Sequence, residues 1–299
     1  MDSKMMKNCR LCPRKCGADR TKTTGFCGES DKVRIARADL HMWEEPCLSI
    51  NGGSGTVFFS GCSLRCCFCQ NYEISAQGKG FELTVSELAD TFMMLQSKGA
   101  ENIDLVSPTH FVPQICEALD LLGSRLTVPV VYNCGGYELP ETLDMLGKRV
   151  SIFLPDLKYF DSELSKEYSA APDYFPNAMR AIKQMVAIAG KPRFDRSGKL
   201  ISGVIVRHLV LPNHRHDSIK LMQELGREFD KSDLLVSIMS QFTPVYKAKE
   251  HKALSRRTST FEYQSVVDEV IRQGFDGYFQ QRSSASEEFI PEFFDRKYY

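Results

Sequence analysis

The sequence has no excess of charge of one sign and no long apolar run. These two absences argue against particular classes of protein. Its 38 lysines and arginines balance 38 aspartates and glutamates, so no overall basic field argues for nucleic acid as a partner. No segment reaches the ~18 consecutive apolar residues that a membrane span needs. Residues 1–8 lack the apolar stretch of a secretory signal. We therefore expect a cytoplasmic protein without nucleic-acid or membrane partners.

Cysteine, by contrast, is abundant and unevenly placed. The 299 residues include 11 cysteines, and none lies between Cys69 and Cys116. In a reducing compartment such a number indicates metal or redox chemistry rather than disulfides. Two groups stand out, an N-terminal one of Cys9, Cys12, Cys16 and Cys27 and a central one of Cys62, Cys66, Cys67 and Cys69.

Strands and helices alternate from about residue 56. Predicted strands lie at residues 56–60, 103–106, 128–132, 150–154, 204–210 and 234–239, and predicted helices at 84–99, 112–122, 139–147, 176–189, 216–229 and 260–273. Six βα units in a row predict an α/β fold with a parallel sheet and helices outside. Right-handed crossovers would curl that sheet into an open partial (β/α)6 barrel. A flat, doubly wound sheet is the alternative.

The pattern predicts three units. Residues 1–45 are rich in cysteine and poor in long apolar segments, as in a small module that needs a metal to fold. Residues 46–281 form the predicted barrel, and residues 282–299 form a polar and then aromatic C-terminal tail.

The central cysteines follow the first predicted strand directly, where sites gather in parallel α/β folds. Cys62, Cys66 and Cys69 have the spacing C-x3-C-x2-C. Three thiolates can hold three irons of a cubane and leave the fourth iron open for another ligand. Structural zinc usually takes four ligands, and Cys67 as the fourth would strain a tetrahedron because it adjoins Cys66. The loop therefore favours an open [4Fe–4S] cluster.

This loop resembles the signature of the radical S-adenosylmethionine (SAM) superfamily, with Phe68 at the aromatic position. Residues 58–75, 9–17 and 40–46 resemble the pyruvate formate-lyase activating enzyme-like branch, as an uncharacterised sub-branch of it. The resemblance implies a radical SAM oxidoreductase, in which a reduced [4Fe–4S] cluster cleaves SAM to a 5′-deoxyadenosyl radical that abstracts a substrate hydrogen. In that branch the hydrogen comes from a glycine of a glycyl radical enzyme. It also implies an electron donor, flavodoxin or ferredoxin.

Polar residues follow each predicted strand, and the resemblance suggests which of them bind SAM. Lys158 would pair with the SAM carboxylate, Asp156 would orient it, and Phe68 would lie near the adenine. Relatives carry a Gly-Gly-Glu run after the second strand and an aspartate after the third, neither of which is present here. The expected SAM-binding residues are Phe68, Ser107, Thr109, Asn133, Asp156, Lys158 and Arg207.

The N-terminal cysteines have the spacing C-x2-C-x3-C-x10-C, which suits a closed four-thiolate site. The spacing does not separate zinc from a second iron–sulfur cluster. Three functions are thus weighed: activation of a glycyl radical enzyme, radical chemistry on a small molecule or another peptide, and a non-catalytic iron–sulfur or zinc protein. An electron carrier gains nothing from an open iron, which argues against the third.

Overall fold

The computed structural model describes residues 3–280, so the predicted tail at 282–299 lies outside the described residues. The strands are β1 (Val33–His41), β2 (Ser54–Phe59), β3 (Phe81–Leu83), β4 (Ile103–Val106), β5 (Val130–Cys134), β6 (Ile152–Pro155), β7 (Arg193–Phe194), β8 (Leu200–Leu209), β9 (Leu235–Met239) and β10 (Gly277–Phe279). The helices are α1 (Ser3–Lys7), α2 (Tyr72–Ser75), α3 (Val85–Ser97), α4 (Val112–Leu122), α5 (Pro140–Leu146), α6 (Ser162–Ser169), α7 (Tyr174–Ala189), α8 (Arg215–Glu228) and α9 (Thr260–Gln273). Short 3-10 turns lie at Thr109–Phe111, Gly123–Arg125, Gly147–Arg149, Ala248–Glu250 and Lys252–Leu254.

Between residues 3 and 280 the strands form one sheet in the order β10-β9-β8-β6-β5-β4-β2-β1-β3, with β7 beside β8. Neighbours from β2 to β10 along this path are parallel, whereas β1 runs antiparallel to β2 and β3. The order does not close on itself, because β10 and β3 are the two edges. The predicted open α/β barrel is thereby confirmed, and β10 adds a seventh parallel strand.

The local sequence explains where the elements begin and end. Strands β2, β5, β6 and β9 are buried along their whole length, as apolar strands covered by helices on one face and packed inside the barrel on the other must be. Thr84 caps α3 and Ser259 caps α9, each in a capping box with a glutamate three residues later. Helix α9 ends at Gly274, which adopts φ 78°.

The predicted N-terminal module is joined to the barrel by the sheet. Strand β1 lies inside residues 1–45, yet it pairs with β2 from Ile35 opposite Phe59 to His41 opposite Ser54. A predicted boundary at residue 45 therefore does not coincide with an edge of the sheet. No helix in the described part of the chain combines the length and hydropathy that crossing a bilayer requires.

A buried carboxyl group lies in the loop between β5 and α5. Glu138 is 1% exposed, accepts a hydrogen bond from the Thr109 hydroxyl at 2.9 Å and another from the Tyr132 hydroxyl at 3.2 Å. Burial raises the pKa of Glu138 to about 8, although these hydrogen bonds act to lower it. The neutral form of this acid is thus the one that the fold favours.

We expect the Glu138→Gln variant to be less sensitive to pH than the parent chain. In the parent chain the pKa of Glu138 is higher in the folded state than in the unfolded state. The parent therefore loses stability as pH rises from about 4.3 to about 8, by up to about 1.4 kcal/mol per pH unit. Glutamine mimics the neutral acid and carries no such penalty. Thermal unfolding of both proteins should be measured at about pH 6 and at about pH 9. The stability difference between the variant and the parent should be larger at the higher pH.

The matched control is Glu141→Gln, since Glu141 is exposed in the first turn of α5. Its unfolding temperature should follow that of the parent at both pH values. A Glu138→Gln variant whose stability falls in parallel with the parent would show that Glu138 is ionised in the fold.

Candidate active site

A cavity of about 240 Å³ opens at the carboxyl edge of the parallel strands. Six of the parallel strands, β2, β4, β5, β6, β8 and β9, contribute to it from their last residues or from the loops that follow. The lining residues on or just after these strands are Phe58, Val106, Asn133, Asp156, Leu209 and Met239. The cysteine loop supplies Cys66, Phe68 and Cys69 to the same cavity. This is the edge at which parallel α/β folds place their ligands.

The cysteine loop begins at a position that only glycine can occupy. Gly61 follows β2 with φ 78°, in the left-handed region. A Cβ atom there would lie 2.5 Å from Glu29 Cγ and 2.8 Å from the Cys27 carbonyl oxygen. The chain thus turns sharply out of the sheet against residues of the N-terminal segment, and the loop that follows brings Cys66 and Cys69 to the cavity.

Helix α6 holds the other side of the loop. The Arg65 and Cys67 N–H groups donate to the carbonyls of Ser169 and Tyr168, at 3.2 and 2.8 Å. The Ser169 hydroxyl also lies 3.0 Å from the Cys66 sulfur. Cys67 itself packs in the main hydrophobic core and is not among the residues that line the cavity. The loop backbone is therefore fixed while Cys66 and Cys69 face the open space.

The three thiols fit an iron–sulfur cluster with an open coordination position. Burial, and next the charge of Cys66, raise the pKa of Cys62 to about 12 and that of Cys69 to about 11. Thiols that influence one another in this way lie close together and keep their protons until a metal displaces them. Hydrogen bonds from Ser169 to Cys66 and between Ser75 and Cys69, at 3.0 and 3.2 Å, suit sulfur ligands that carry negative charge.

A charge network lies beside the thiols. Strand β8 runs next to the end of β6, and the Leu157 N–H donates to the Arg207 carbonyl at 2.7 Å. Asp156 accepts from Lys158 Nζ at 2.5 Å and from Arg207 Nε at 3.1 Å. Arg207 also donates to the Asn133 side-chain oxygen at 2.6 Å. One carboxylate therefore holds two cations at the wall of the cavity.

These charges stabilise one another. Burial alone would raise the pKa of Asp156, but Lys158 and Arg207 lower it below its ordinary value. Burial would lower the pKa values of Lys158 and Arg207, but Asp156 raises both. The charge of Cys66 also raises the pKa of Lys158, so the ammonium lies near the cysteine loop. All three groups are thus charged at neutral pH, and the two cations can receive a carboxylate ligand.

The structure brings together most of the expected SAM-binding residues. Phe68, Asn133, Asp156, Lys158 and Arg207 all line the cavity. The Phe68 ring contacts Tyr159 and Phe242 edge-on, with centroids 6.5 and 5.8 Å apart. In strand β8 the alternation places Arg207 toward the cavity. His208 faces the opposite way and lies 2.8 Å from the Ser218 hydroxyl of α8.

Two expected residues are placed elsewhere. Ser107 and Thr109 are not among the lining residues. Ser107 adopts φ 58° and donates its N–H to the Asn133 carbonyl at 2.8 Å, and the Thr109 hydroxyl donates to Glu138. Their assignment to SAM stays a prediction.

Sequence reasoning assigned no role to two acidic residues that face Arg207. Glu44 lies with His41 in the cavity wall, and its carboxylate is 3.8 Å from Arg207 Nη1. Asp104 is fully buried under Asn133, and burial, then the charge of Glu44, raises its pKa well above the ordinary value. The segment 40–46 was visible as a motif, but nothing local showed that it folds over the ends of distant strands.

Comparison with known proteins agrees with this geometry. The model of the radical SAM superfamily matches residues 56–225, from β2 to α8. The chain belongs to the radical SAM superfamily. This membership establishes a [4Fe–4S] cluster and SAM as cofactors and an electron donor as a requirement of the chemistry.

Individual relatives of this radical SAM chain are distant. An uncharacterized protein, MJ0674 of Methanocaldococcus jannaschii, is 29% identical over 286 residues, which cover 91% of this chain and 77% of that protein. A mutant of spore photoproduct lyase superposes with a TM-score of 0.51 at 14% identity, over 81% of this chain and 78% of that one. Streptococcus suis SuiB, solved with its precursor peptide SuiA, superposes with a TM-score of 0.50 at 12% identity, over 74% of this chain. Only 46% of SuiB is covered, and at these identities the likeness shows the fold.

We expect Lys158→Met to weaken SAM binding about tenfold to hundredfold, a loss of about 1.4 to 2.8 kcal/mol. The substitution keeps an apolar stem and removes the cation that would meet the SAM carboxylate. Equilibrium dialysis of the cluster-loaded protein measures the dissociation constant.

Lys199→Met is the control for this measurement. Lys199 pairs with Glu101 at 3.6 Å and directly precedes the first residue of β8. It thus lies at the amino end of this strand, whereas the cavity lies at the carboxyl end. Equal SAM affinity in both variants would show that Lys158 does not contact the ligand.

Proposed function

We propose that this radical SAM enzyme abstracts hydrogen from a polypeptide, and that the hydrogen is one of a glycine, as in the activation of glycyl radical enzymes. When bound, the cluster and SAM supply the 5′-deoxyadenosyl radical that takes the hydrogen. The chain itself supplies a thiolate loop, a pair of cations for the SAM carboxylate and a cavity whose walls limit what the radical reaches.

The observation that carries the proposal is the wall of the cavity formed by segment 40–46. His41 and Glu44 line the cavity, and between them Met42 and Trp43 are 49% and 70% exposed. Asn71 also lines the cavity, and next to it in the chain the ring of Tyr72 stacks on that of Tyr246 with centroids 4.7 Å apart. Large exposed rings at the mouth of a polar cavity suit an extended peptide better than a small polar molecule.

A glycine target suits the narrow approach. Glycine has no side chain, so its Cα hydrogen can come close to a reacting atom in a crowded cavity. SuiB, which shares the fold, is described in complex with a precursor peptide, so a protein with this type of barrel can bind a polypeptide. Radical chemistry on a small molecule is the second candidate, favoured by the modest cavity of about 240 Å³.

Transfer of deuterium into 5′-deoxyadenosine tests both candidates. Extract from cells grown with α-deuterated glycine is separated into macromolecular and dialysable fractions. Each fraction is incubated anaerobically with the reconstituted enzyme, SAM and a low-potential reductant. We expect deuterated 5′-deoxyadenosine from the macromolecular fraction, since the abstracted atom would be a glycine Cα deuterium.

Cys62→Ala should abolish 5′-deoxyadenosine because it removes a cluster ligand. Cys116→Ala is the matched control, since Cys116 is buried on α4 and its thiol lies 3.3 Å from the Met145 carbonyl. Deuterium arriving only from the dialysable fraction would favour the small-molecule candidate. Unlabelled product from every fraction would exclude a glycine hydrogen.

A further inference from the structure

The four N-terminal cysteines lie together in the fold although they span residues 9–27. The sulfurs of Cys16 and Cys27 are 3.5 and 3.3 Å from one point, the Cβ position of Gly25. The Cys16 sulfur lies 4.0 Å from the Cys9 carbonyl oxygen, and a turn in which the Lys15 N–H donates to the Cys12 carbonyl at 2.9 Å brings Cys12 beside Cys16. Cys9 and Cys27 are buried, and Cys16 reaches the surface.

A buried arginine adjoins this group. Arg20 is fully buried and donates hydrogen bonds to the carbonyls of Glu29, Ser30 and His110. Its Nη1 also lies 3.8 Å from the Cys9 sulfur. Carbonyl groups satisfy the N–H donors of a guanidinium but do not neutralise its charge, which is costly in a protein interior. Thiolates bound to a metal centre would supply negative charge at this place.

The ligand set and its neighbourhood together indicate the kind of centre. Four thiolates are the usual ligand set of a [4Fe–4S] cluster, and they also suit zinc. The contact of this group with the central cysteines, which belong to a radical SAM domain whose family uses a [4Fe–4S] cluster, favours the cluster.

The N-terminal group is in direct contact with the central one. The Cys62 N–H donates to the Cys27 carbonyl with an N···O distance of 3.2 Å, so one hydrogen bond joins a cysteine of each group. Two residues along the chain from Cys12, Arg14 donates from Nε to the Ser63 carbonyl at 2.8 Å. A path from the exposed Cys16 to the cysteine loop therefore runs through residues of this module.

We propose that Cys9, Cys12, Cys16 and Cys27 hold a second [4Fe–4S] cluster, which passes electrons to the central cluster through the contact of Cys27 with Cys62. An external one-electron donor protein reduces the N-terminal cluster by one electron. That electron then moves inward, so the N-terminal cluster is reoxidised as the central one is reduced. The relay rests on the proposed radical chemistry, whereas the existence of the second cluster does not.

The surface around the module suits an acidic donor. Lys7, Arg10 and Lys15 are exposed and lie within a few residues of the cysteines along the chain. A basic patch attracts an acidic partner and speeds its association at low ionic strength. The inferred partner is thus an acidic one-electron donor that docks beside Cys16.

Metal analysis tests the second cluster without any assay of activity. We expect about eight irons and eight sulfides per reconstituted parent chain, and about four of each in the Cys9→Ser/Cys12→Ser double variant and in Cys16→Ser, because each [4Fe–4S] cluster carries four of each. Cys16→Ser is included because Cys16 is exposed and its replacement does not disturb the core. The Cys116→Ser control should keep the parent's iron.

The electron paramagnetic resonance spectrum of the reduced parent should contain two signals. One of them should be absent from the spectra of the Cys9→Ser/Cys12→Ser and Cys16→Ser variants. About one zinc and about four irons in the parent chain would overturn the cluster in favour of a zinc site. Unchanged iron and unchanged zinc in the variants would overturn any metal at these cysteines.

The relay has its own measurement, the rate at which the central cluster is reduced. With dithionite, a small reductant, Cys16→Ser and the parent should reach the same reduced state. With reduced flavodoxin as the probe, reduction in Cys16→Ser should be slower by about tenfold or more, since the entry point is gone, and in the parent the rate should fall with added salt. Equal flavodoxin rates in the two proteins would overturn the relay. Failure of the radical chemistry would instead appear as absence of 5′-deoxyadenosine with both clusters reduced.

Discussion

Two cations at the ends of neighbouring strands need a carboxylate between them, and this requirement organises the active site. Arg207 and Lys158 would be costly in the barrel interior without Asp156, which contacts both. The parallel pairing of β6 and β8 places Asp156 opposite Arg207, so the sheet itself positions the network. Removing Asp156 would leave both cations without the carboxylate that they share. The same groups that bind a ligand therefore also decide whether the strand ends are stable.

The shape of the cysteine loop is determined by backbone contacts from two sides rather than by pairing of charges. Gly61 turns against Glu29 and Cys27, and the carbonyls at the end of α6 accept hydrogen bonds from Arg65 and Cys67. Both sides are formed by groups of the chain itself rather than by the metal that the loop would hold. The loop is thus preorganised, and cluster binding need not supply the ordering free energy that flexible ligands require.

The repeating part of the fold was predictable from the sequence, because buried parallel strands and capped helices leave local patterns. Helices 112–122 and 260–273 match their predicted ranges, and the predicted strand 103–106 is β4. Strands β1, β3 and β10 were missed, since their pairing is long-range and β3 and β10 are only three residues long. Helix α6 was missed although Asp161 caps it, accepting from the N–H groups of Glu163 and Leu164.

The residues of the active site also differ in whether the local sequence predicts them. Residues that directly follow strands, such as Asp156 and Asn133, were predictable because strand ends share one edge of the sheet. Glu44 and the contact of Cys27 with Cys62 were not, because both arise where the N-terminal segment packs against the barrel. That segment has a small apolar cluster of its own, Met6, Cys9 and Leu11. So small a core cannot hold a fold, and the segment depends on its contacts with the barrel, to which the proposed cluster would add. Since Glu29 and Cys27 also form the wall behind Gly61, the state of the N-terminal segment bears directly on the position of the catalytic cysteines.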